Sequence, residues 1–600
     1  MRQVCIYGNI RHLATGPSSC TDPLIAIALA VATSPGHAAA TPPATASADA
    51  SVEFAKGLRR QAQQLAGPEA PPDDVRRAVA LYQQALDYLA GPAVRERADG
   101  NRSLIYEQLN LELSQAMAYA KLGQQQQALA VLDRLANLAW APAIERALAH
   151  EDFNALRDEP RFKALQATMK LPGQIYNTPA IATPWKPVLT TAEKVAGLSL
   201  FWAEARRNFV YFDHVPQLQW DQVYMDYLAK VIAAPTTEDY YRVMLTLAPL
   251  LQDAHTDIRA PEPLASVLYA PAPLNTALIE DKVIVLHVGD AGVAARIHRG
   301  DEVVSIDGVP VRQYGRERIA PTIGGNTQRY RDARTFNYQL FAGDAGRPVV
   351  IGLRAPDGAE RTETVARSGF GSVPPGGGFK MLDGGIAYIA LDQFADDGDI
   401  KAFEAALPQI LAAQGLIIDV RRNGGGNGAY AVQVLSHLTR SPIKFMDSMT
   451  RNDNVIERAQ GNPMIDWSRR SYECRQPQQQ VFDGRVAVLT GVDTLSAAED
   501  FTAMFRIMKR GVVVGETTGG STGQPLSLSL PGGGWARICV KRDVYPDGST
   551  FVGKGIAPDL EAPQTVADLR AGRDLALERA AAVLRHPSAR GGQVASPPLR

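Results

Sequence analysis

Between residues 386 and 520 the chain keeps alternating two local patterns, which narrows the choice of fold more than any other feature. Short apolar runs at Ile386–Leu391, Leu416–Val420, Val486–Thr490 and Val512–Val514 have the length and β-branched content of buried strands. Helical spacing separates them, as in Val432, Val434, Leu435 and Leu438, or Phe501, Met504, Phe505 and Met508. Strands alternating with helices argue for an α/β core. Two of the runs lead into glycines, Gly424-Gly425-Gly426 and Gly519-Gly520, which allow close backbone approach at strand ends.

The third run leads instead into Thr494-Leu495-Ser496-Ala497-Ala498-Glu499. Ser496 therefore falls at a strand-to-helix junction, among backbone N–H groups at the positive end of a helix. Those N–H groups suit a negative oxygen, as acyl-transfer chemistry requires. The alternative is an ordinary N-cap serine, with Glu499 three residues on completing a capping box.

Taken with Gly555-Ile556-Ala557-Pro558-Asp559, these segments resemble in order and content the core of the C-terminal processing serine peptidases. That family also holds the tail-specific and tricorn-type enzymes. The resemblance spans roughly residues 198–566 and implies a crotonase-like sheet with Ser496 as nucleophile. It further implies an oxyanion hole from the N–H groups of Ala497 and the glycine turn, of which Gly425 is the expected donor. Gly424, Gly426 and Gly519 are then substrate or turn contacts. A tight strand-to-helix turn is the other reading of the glycines, and the two are compatible.

A serine hydroxyl needs a neighbouring base. One branch of the resembled family uses a lysine in the glycine-rich segment after the nucleophile. Here that segment reads Gly519-Gly520-Ser521-Thr522-Gly523-Gln524, without lysine. The tricorn-like branch uses a histidine from a helical lead-in, and His255 in Asp253-Ala254-His255-Thr256 matches it. That branch pairs its histidine with a preceding serine and a glutamate near the closing Pro-Asp motif. This chain has Ala254 and Val552-Gly553-Lys554 at those places. Asp253, Asp257, a backbone carbonyl or water remain as candidates to orient the ring.

At 600 residues the chain is long enough for several cores. The expectation is a multidomain α/β protein. Residues 1–40 read as a signal peptide, with Arg2 and Arg11 before an apolar stretch and Ala38-Ala39-Ala40 after it, and 41–51 as a linker. Residues 52–175 carry helical, tetratricopeptide-like spacing, either a surface for a protein partner or a spacer without ligand. Residues 185–260 form the helical lead-in. Residues 261–367 are PDZ-like, on the strength of Arg299-Gly300-Asp301-Glu302 through Asp307-Gly308. The catalytic core follows at 368–570, then a helical and finally disordered tail at 571–600. The polar, irregular stretch 441–480 reads as a lid or a surface loop. Two cysteines, Cys474 and Cys539, follow the leader, and sequence does not show whether they meet.

A net charge of −1 gives no basis for nucleic acid as a partner, and the leader is too short for a stable membrane span. No His/Cys/Asp/Glu cluster has metal-ligand spacing, and no cofactor is expected. The leading expectation is an exported, periplasmic or extracellular serine endopeptidase acting on peptides or unfolded proteins, with the PDZ-like module selecting substrate. The alternatives are a catalytically impaired peptide-binding adaptor on the same fold, and an esterase-like enzyme.

Overall fold

The computed structural model describes residues 48–92, 94, 102–176, 179–369, 378–471, 473–474 and 480–585. The expected leader, most of the linker and the end of the tail lie outside these. The described residues divide into two units, one within Pro17–Pro179 and the other beginning at Ala180.

The first unit is helical. Helices α1 (Ala48–Leu65), α2 (Pro72–Ala90), α3 (Arg102–Lys121), α4 (Gln125–Leu138) and α5 (Pro160–Tyr176) follow one another. They bury two apolar clusters, one around Ala55, Ala78, Tyr82 and Leu111, the other around Leu132, Phe153, Phe162 and Met169. Ala48–Ser51, within the segment read as linker, already forms the start of α1.

The second unit opens with α6 (Thr191–Asn208), α7 (Trp220–Ala233) and α8 (Thr237–Met244). Thr190 caps α6 in a complete capping box with Glu193. These helices bury Phe201, Phe209, Tyr211, Tyr240 and Tyr241 in the same cluster as Ala536 and Ile538. The chain then makes β1 (Asp257–Arg259). Next come β2 (Leu274–Ile279), β3 (Lys282–Val288), β4 (Glu302–Ile306), β5 (Val349–Arg354) and β6 (Glu360–Val365), hydrogen-bonded in that order as an antiparallel sheet. This sheet has its own apolar cluster, including Val283, Val285, Ile306, Phe336 and Leu353.

The main sheet contains β7 (Phe379–Leu382), β8 (Ile386–Ala390) and, after α9 (Gly398–Ala412), β9 (Gly415–Asp419), which leads to α10 (Gly428–Ser436). Residues 441–480 then contribute β10 (Asp447–Asp453) and β11 (Ile465–Arg470), paired antiparallel. The expected irregular stretch is thus partly sheet. Its strands are half-exposed and polar, so they lack the apolar run that marks a buried strand. Next come β12 (Arg485–Thr490), α11 (Ala497–Ile507), β13 (Val512–Gly515), β14 (Pro525–Ser529), β15 (Trp535–Cys539), β16 (Arg542–Val544), β17 (Leu560–Glu561) and α12 (Leu575–Arg585).

The main sheet runs β17-β13-β12-β9-β8-β7, parallel except for β7. Both faces are covered, which is why its central strands read as unbroken apolar runs. Leu416, Ile418, Val486 and Val488 pack with Phe403, Leu435, Phe501 and Phe505 on one face. Ile417, Ala487 and Leu489 meet Ala576, Ala580 and Leu584 of α12 on the other. The loops after β9, β12 and β13 therefore emerge together at the carboxyl ends of parallel strands, where open α/β sheets place ligand sites. A smaller sheet, β1-β15-β14, pairs Asp257 with Arg537 and Ile258 with Ala536, and so brings the segment before β1 to the same edge.

Candidate active site

Ser496 joins β12 to α11 with φ 56° and ψ −125°. A residue with a Cβ held there carries strain of about 1–3 kcal/mol, and it persists only where its surroundings impose it. They do so through backbone bonds: Ser496 N donates to the Ser521 carbonyl at 2.9 Å, and Asp500 N donates to the Ser496 carbonyl at 2.9 Å. The hydroxyl makes no capping bond. Instead Ser496 Oγ lies 2.9 Å from His255 Nε2.

His255 reaches that point from the segment just before β1. The segment is shaped by Asp253, whose carboxylate accepts from His255 N at 3.1 Å, Thr256 Oγ1 at 2.8 Å and Asn326 Nδ2 at 2.9 Å. Asn326 Oδ1 in turn accepts from Ala254 N at 3.0 Å. Asp257 is held by Arg537, whose Nε and Nη2 donate to it at 2.9 Å. The two aspartates considered for the ring are thus engaged with backbone and arginine. The ring's second nitrogen, Nδ1, lies 2.9 Å from Ser521 Oγ. Only 6% of His255 is exposed. Burial, aided by the charges of Arg537 and Lys541 and opposed by Asp257, pushes the imidazole down to about 3. The neutral ring is therefore the resting form, with one nitrogen at each of the two serine hydroxyls.

The glycine turn after β9 packs closely against Ser496. Gly425 has φ 95°, and a Cβ there would sit 2.6 Å from Ser496 Cβ and 3.0 Å from Ala497 N. Its carbonyl accepts from Phe394 N at 3.0 Å, and its N–H donates to Asn423 Oδ1 at 2.9 Å. The Ala497 N–H, one of the unpaired donors at the start of α11, has no acceptor among the described residues. Gly424 leaves open space on its Cβ side. Gly426, at φ 138°, abuts the Phe394 carbonyl. Gly519 N donates to the Thr494 carbonyl at 3.1 Å, and its own carbonyl accepts from Thr327 Oγ1 at 2.8 Å. Gly425→Ala is expected to lower stability by about 1–3 kcal/mol through backbone strain alone. It is also expected to cut peptide turnover sharply, because the added methyl pushes on Ser496. Denaturant melts beside steady-state kinetics check both effects.

Glu499 does not close a capping box. It is fully buried, and its carboxyl accepts from the Thr518 hydroxyl and, at 2.8 Å each, from Gly520 N and Ser521 N. Burial pushes this carboxyl up to about 8, against the pull of those three donors. With a folded pKa above the ordinary 4.5, its contribution to stability is full below 4.5 and is lost as pH rises through about 8. The stability of Glu499→Gln is expected to fall less over that window, as pH-dependent denaturant melts can measure.

The geometry brings Ser496, His255, Ala497 and the Gly424–Gly426 turn together, with Gly519 bonded to Thr494, two residues before Ser496. Sequence reading overlooked Ser521 and the inward contacts of Glu499. The one signal for Ser521 in the sequence is a hydroxyl within the glycine-rich segment Gly519–Gln524. Cys539 is buried with its thiol 3.4 Å from the Lys541 carbonyl. The Cys474 side chain lies outside the described structure. Among the described residues there is no cluster of three or more His, Cys, Asp or Glu placed to hold a metal ion, and no helix long and apolar enough to cross a membrane.

Residues 385–562 match the family model of peptidase family S41. The chloroplastic C-terminal processing peptidase of Tetradesmus obliquus is 23% identical over 372 residues, covering 57% of this chain and 72% of that protein. The carboxyl-terminal-processing protease of Picosynechococcus sp. is 22% identical over 342 residues, covering 55% and 74%. Among solved structures, mature CPAF complexed with lactacystin shares the fold at a TM-score of 0.53 and 15% identity, covering 66% of this chain and 98% of that one.

Proposed function

We propose that this chain, a serine peptidase of family S41, cleaves peptides and unfolded proteins through an acyl-enzyme on Ser496 with His255 as general base. The observation that carries the reading is the 2.9 Å contact of His255 Nε2 with Ser496 Oγ, on a ring whose other nitrogen has its own partner.

In this mechanism Ser496 Oγ attacks the substrate carbonyl carbon while its proton passes to Nε2. Nδ1–H stays directed at Ser521 Oγ, which holds the tautomer. The carbonyl oxygen becomes an oxyanion and accepts from Ala497 N–H. Gly425 N–H joins it after exchanging its Asn423 partner for the oxyanion. The imidazolium then returns its proton to the departing amine as the C–N bond breaks. Water, deprotonated by the same nitrogen, releases the acyl group. Gly424, Gly426 and Gly519 give this cleft its shape.

Substrate selection by the sheet of β2–β6, acting as a PDZ-like module that takes an extended chain end, belongs to the same proposal. A cavity of about 720 Å³ supports it, since the cavity is lined both by Asp253, Ala254 and Thr256 beside the base and by Tyr314, Arg318 and Ile319 beyond β4. Export through the 1–40 leader, and a protein-binding role for the helical first unit, complete the reading.

Turnover of a fluorogenic peptide panel and of an unfolded protein by the leader-less chain tests the function. Cleavage of peptide bonds supports it. Peptide binding without any cleavage would favour the adaptor alternative, and hydrolysis confined to small esters the esterase one.

A further inference from the structure

We propose that Glu499 is a positioning residue for hydrolysis: its carboxyl fixes the Gly520–Ser521 backbone, and through Ser521 it sets the ring of His255 against Ser496. The proposal rests on the assignment of Ser496 and His255 above.

Ser521 touches Ser496, His255 and Glu499 at once. Its carbonyl accepts from Ser496 N, its hydroxyl meets His255 Nδ1, and its amide donates to Glu499 Oε2 at 2.8 Å. Its residue is fully buried. For Nε2 to take the serine proton it must present a lone pair, so Nδ1 must carry the hydrogen and needs an acceptor. A serine hydroxyl rotates freely, so the direction of its lone pairs toward Nδ1 depends on where the backbone holds its Cβ. Glu499 supplies that hold. The side chain leaves α11 one turn beyond Ser496, so nucleophile, base and anchor are referred to a single helix terminus.

The chemistry of the anchor is specific. Gly520 N and Ser521 N can only donate. Thr518 Oγ1 accepts from Ile556 N at 2.7 Å and donates its own hydrogen to Glu499. Three donors thus converge on two carboxyl oxygens. Even when protonated the carboxyl keeps an acceptor lone pair on each oxygen, whereas the NH₂ group of a glutamine in this place accepts nothing, so at least one donor meets another donor. The expected consequence is a displaced Ser521 and a base slightly out of line, rather than a lost binding site. Displacements of about 1 Å at such a site cost about 10²-fold in rate.

The test is a cycle of Glu499→Gln, Ser521→Ala and the double variant, with kcat and KM for a peptide substrate and thermal melts for each. Glu499→Gln is expected to lower kcat by about 10- to 100-fold with KM nearly unchanged. The double variant is expected to be no slower than Ser521→Ala, because Glu499 acts through that residue. An unchanged kcat in Glu499→Gln overturns the proposal, and so do losses that multiply in the double variant. Should Glu499→Gln not fold, Thr518→Val removes one of the three donors and serves in the same cycle. Turnover retained by Ser496→Ala in the same assay would instead refute the assignment of the nucleophile.

Discussion

Ser496→Ala is expected to lower kcat by on the order of 10⁴- to 10⁶-fold while leaving the fold and substrate binding in place. The large loss follows from removing the atom that forms the acyl bond in the proposed mechanism, Ser496 Oγ, which lies 2.9 Å from His255 Nε2. The retained fold follows from what holds the residue: its N–H and C=O bonds to Ser521 and Asp500 are backbone bonds and survive the substitution. Alanine at φ 56° suffers the same strain as serine, so little stability is gained or lost there. Residual turnover above water would come from the Ala497 amide and from binding. Steady-state kinetics, with a circular-dichroism melt of the same preparation, separates a missing nucleophile from a misfolded chain. A variant that keeps wild-type turnover would place the nucleophile elsewhere.

His255 carries the second large effect, and it is seen best in pH dependence. An exposed imidazole half-protonates at about 6.5, and a base with that value loses activity below it. Here burial, reinforced by Arg537 and Lys541, holds the ring at about 3. The acid limb of kcat/KM is therefore expected well below pH 6.5, toward 3, since kcat/KM reports the free enzyme's ionisations. The same depression bears on stability. The folded value lies below the unfolded one, so the contribution is full above 6.5 and is lost as pH falls through about 3. Short assays at each pH, followed by return to neutral pH, distinguish reversible titration from acid unfolding. His255→Ala is expected to abolish turnover at every pH. An acid limb near 6.5 in the wild type would mean a solvated ring, away from the buried position between Ser496 and Ser521. The low value also makes a weaker base, which the contact with Ser521 offsets by keeping the tautomer ready.

The strand runs at 386–391, 416–420, 486–490 and 512–514 were legible because a sheet covered on both faces demands continuous apolar residues. They coincide with β8, β9, β12 and β13 to within about one residue. β7 and β17 were not legible: each is short, β7 is half-exposed and β17 exposed at both residues, and neither carries such a signal. Ser496 and the glycine turn could be singled out because their placement follows from a local strand-to-helix geometry. The partner of His255 Nδ1 could not, because Ser521 lies 266 residues away and meets the ring only once β1 has paired with β15. Glu499 misled for a physical reason. The spacing that makes a capping box also places a carboxyl one turn into the helix, and the sequence does not say whether it bends back to the cap or inward to another loop. At Thr190 and Glu193 the carboxyl bends back, and at Glu499 it does not.

The central claim is that His255 activates Ser496 alone among the chain's serines. Its most direct test is covalent labelling with a fluorophosphonate at neutral pH, followed by peptide mass spectrometry of the wild type and of His255→Ala. The account predicts a single adduct on the peptide containing Ser496, absent or very slow in His255→Ala. Labelling of a different serine, or equal labelling of Ser496 with and without His255, would contradict it.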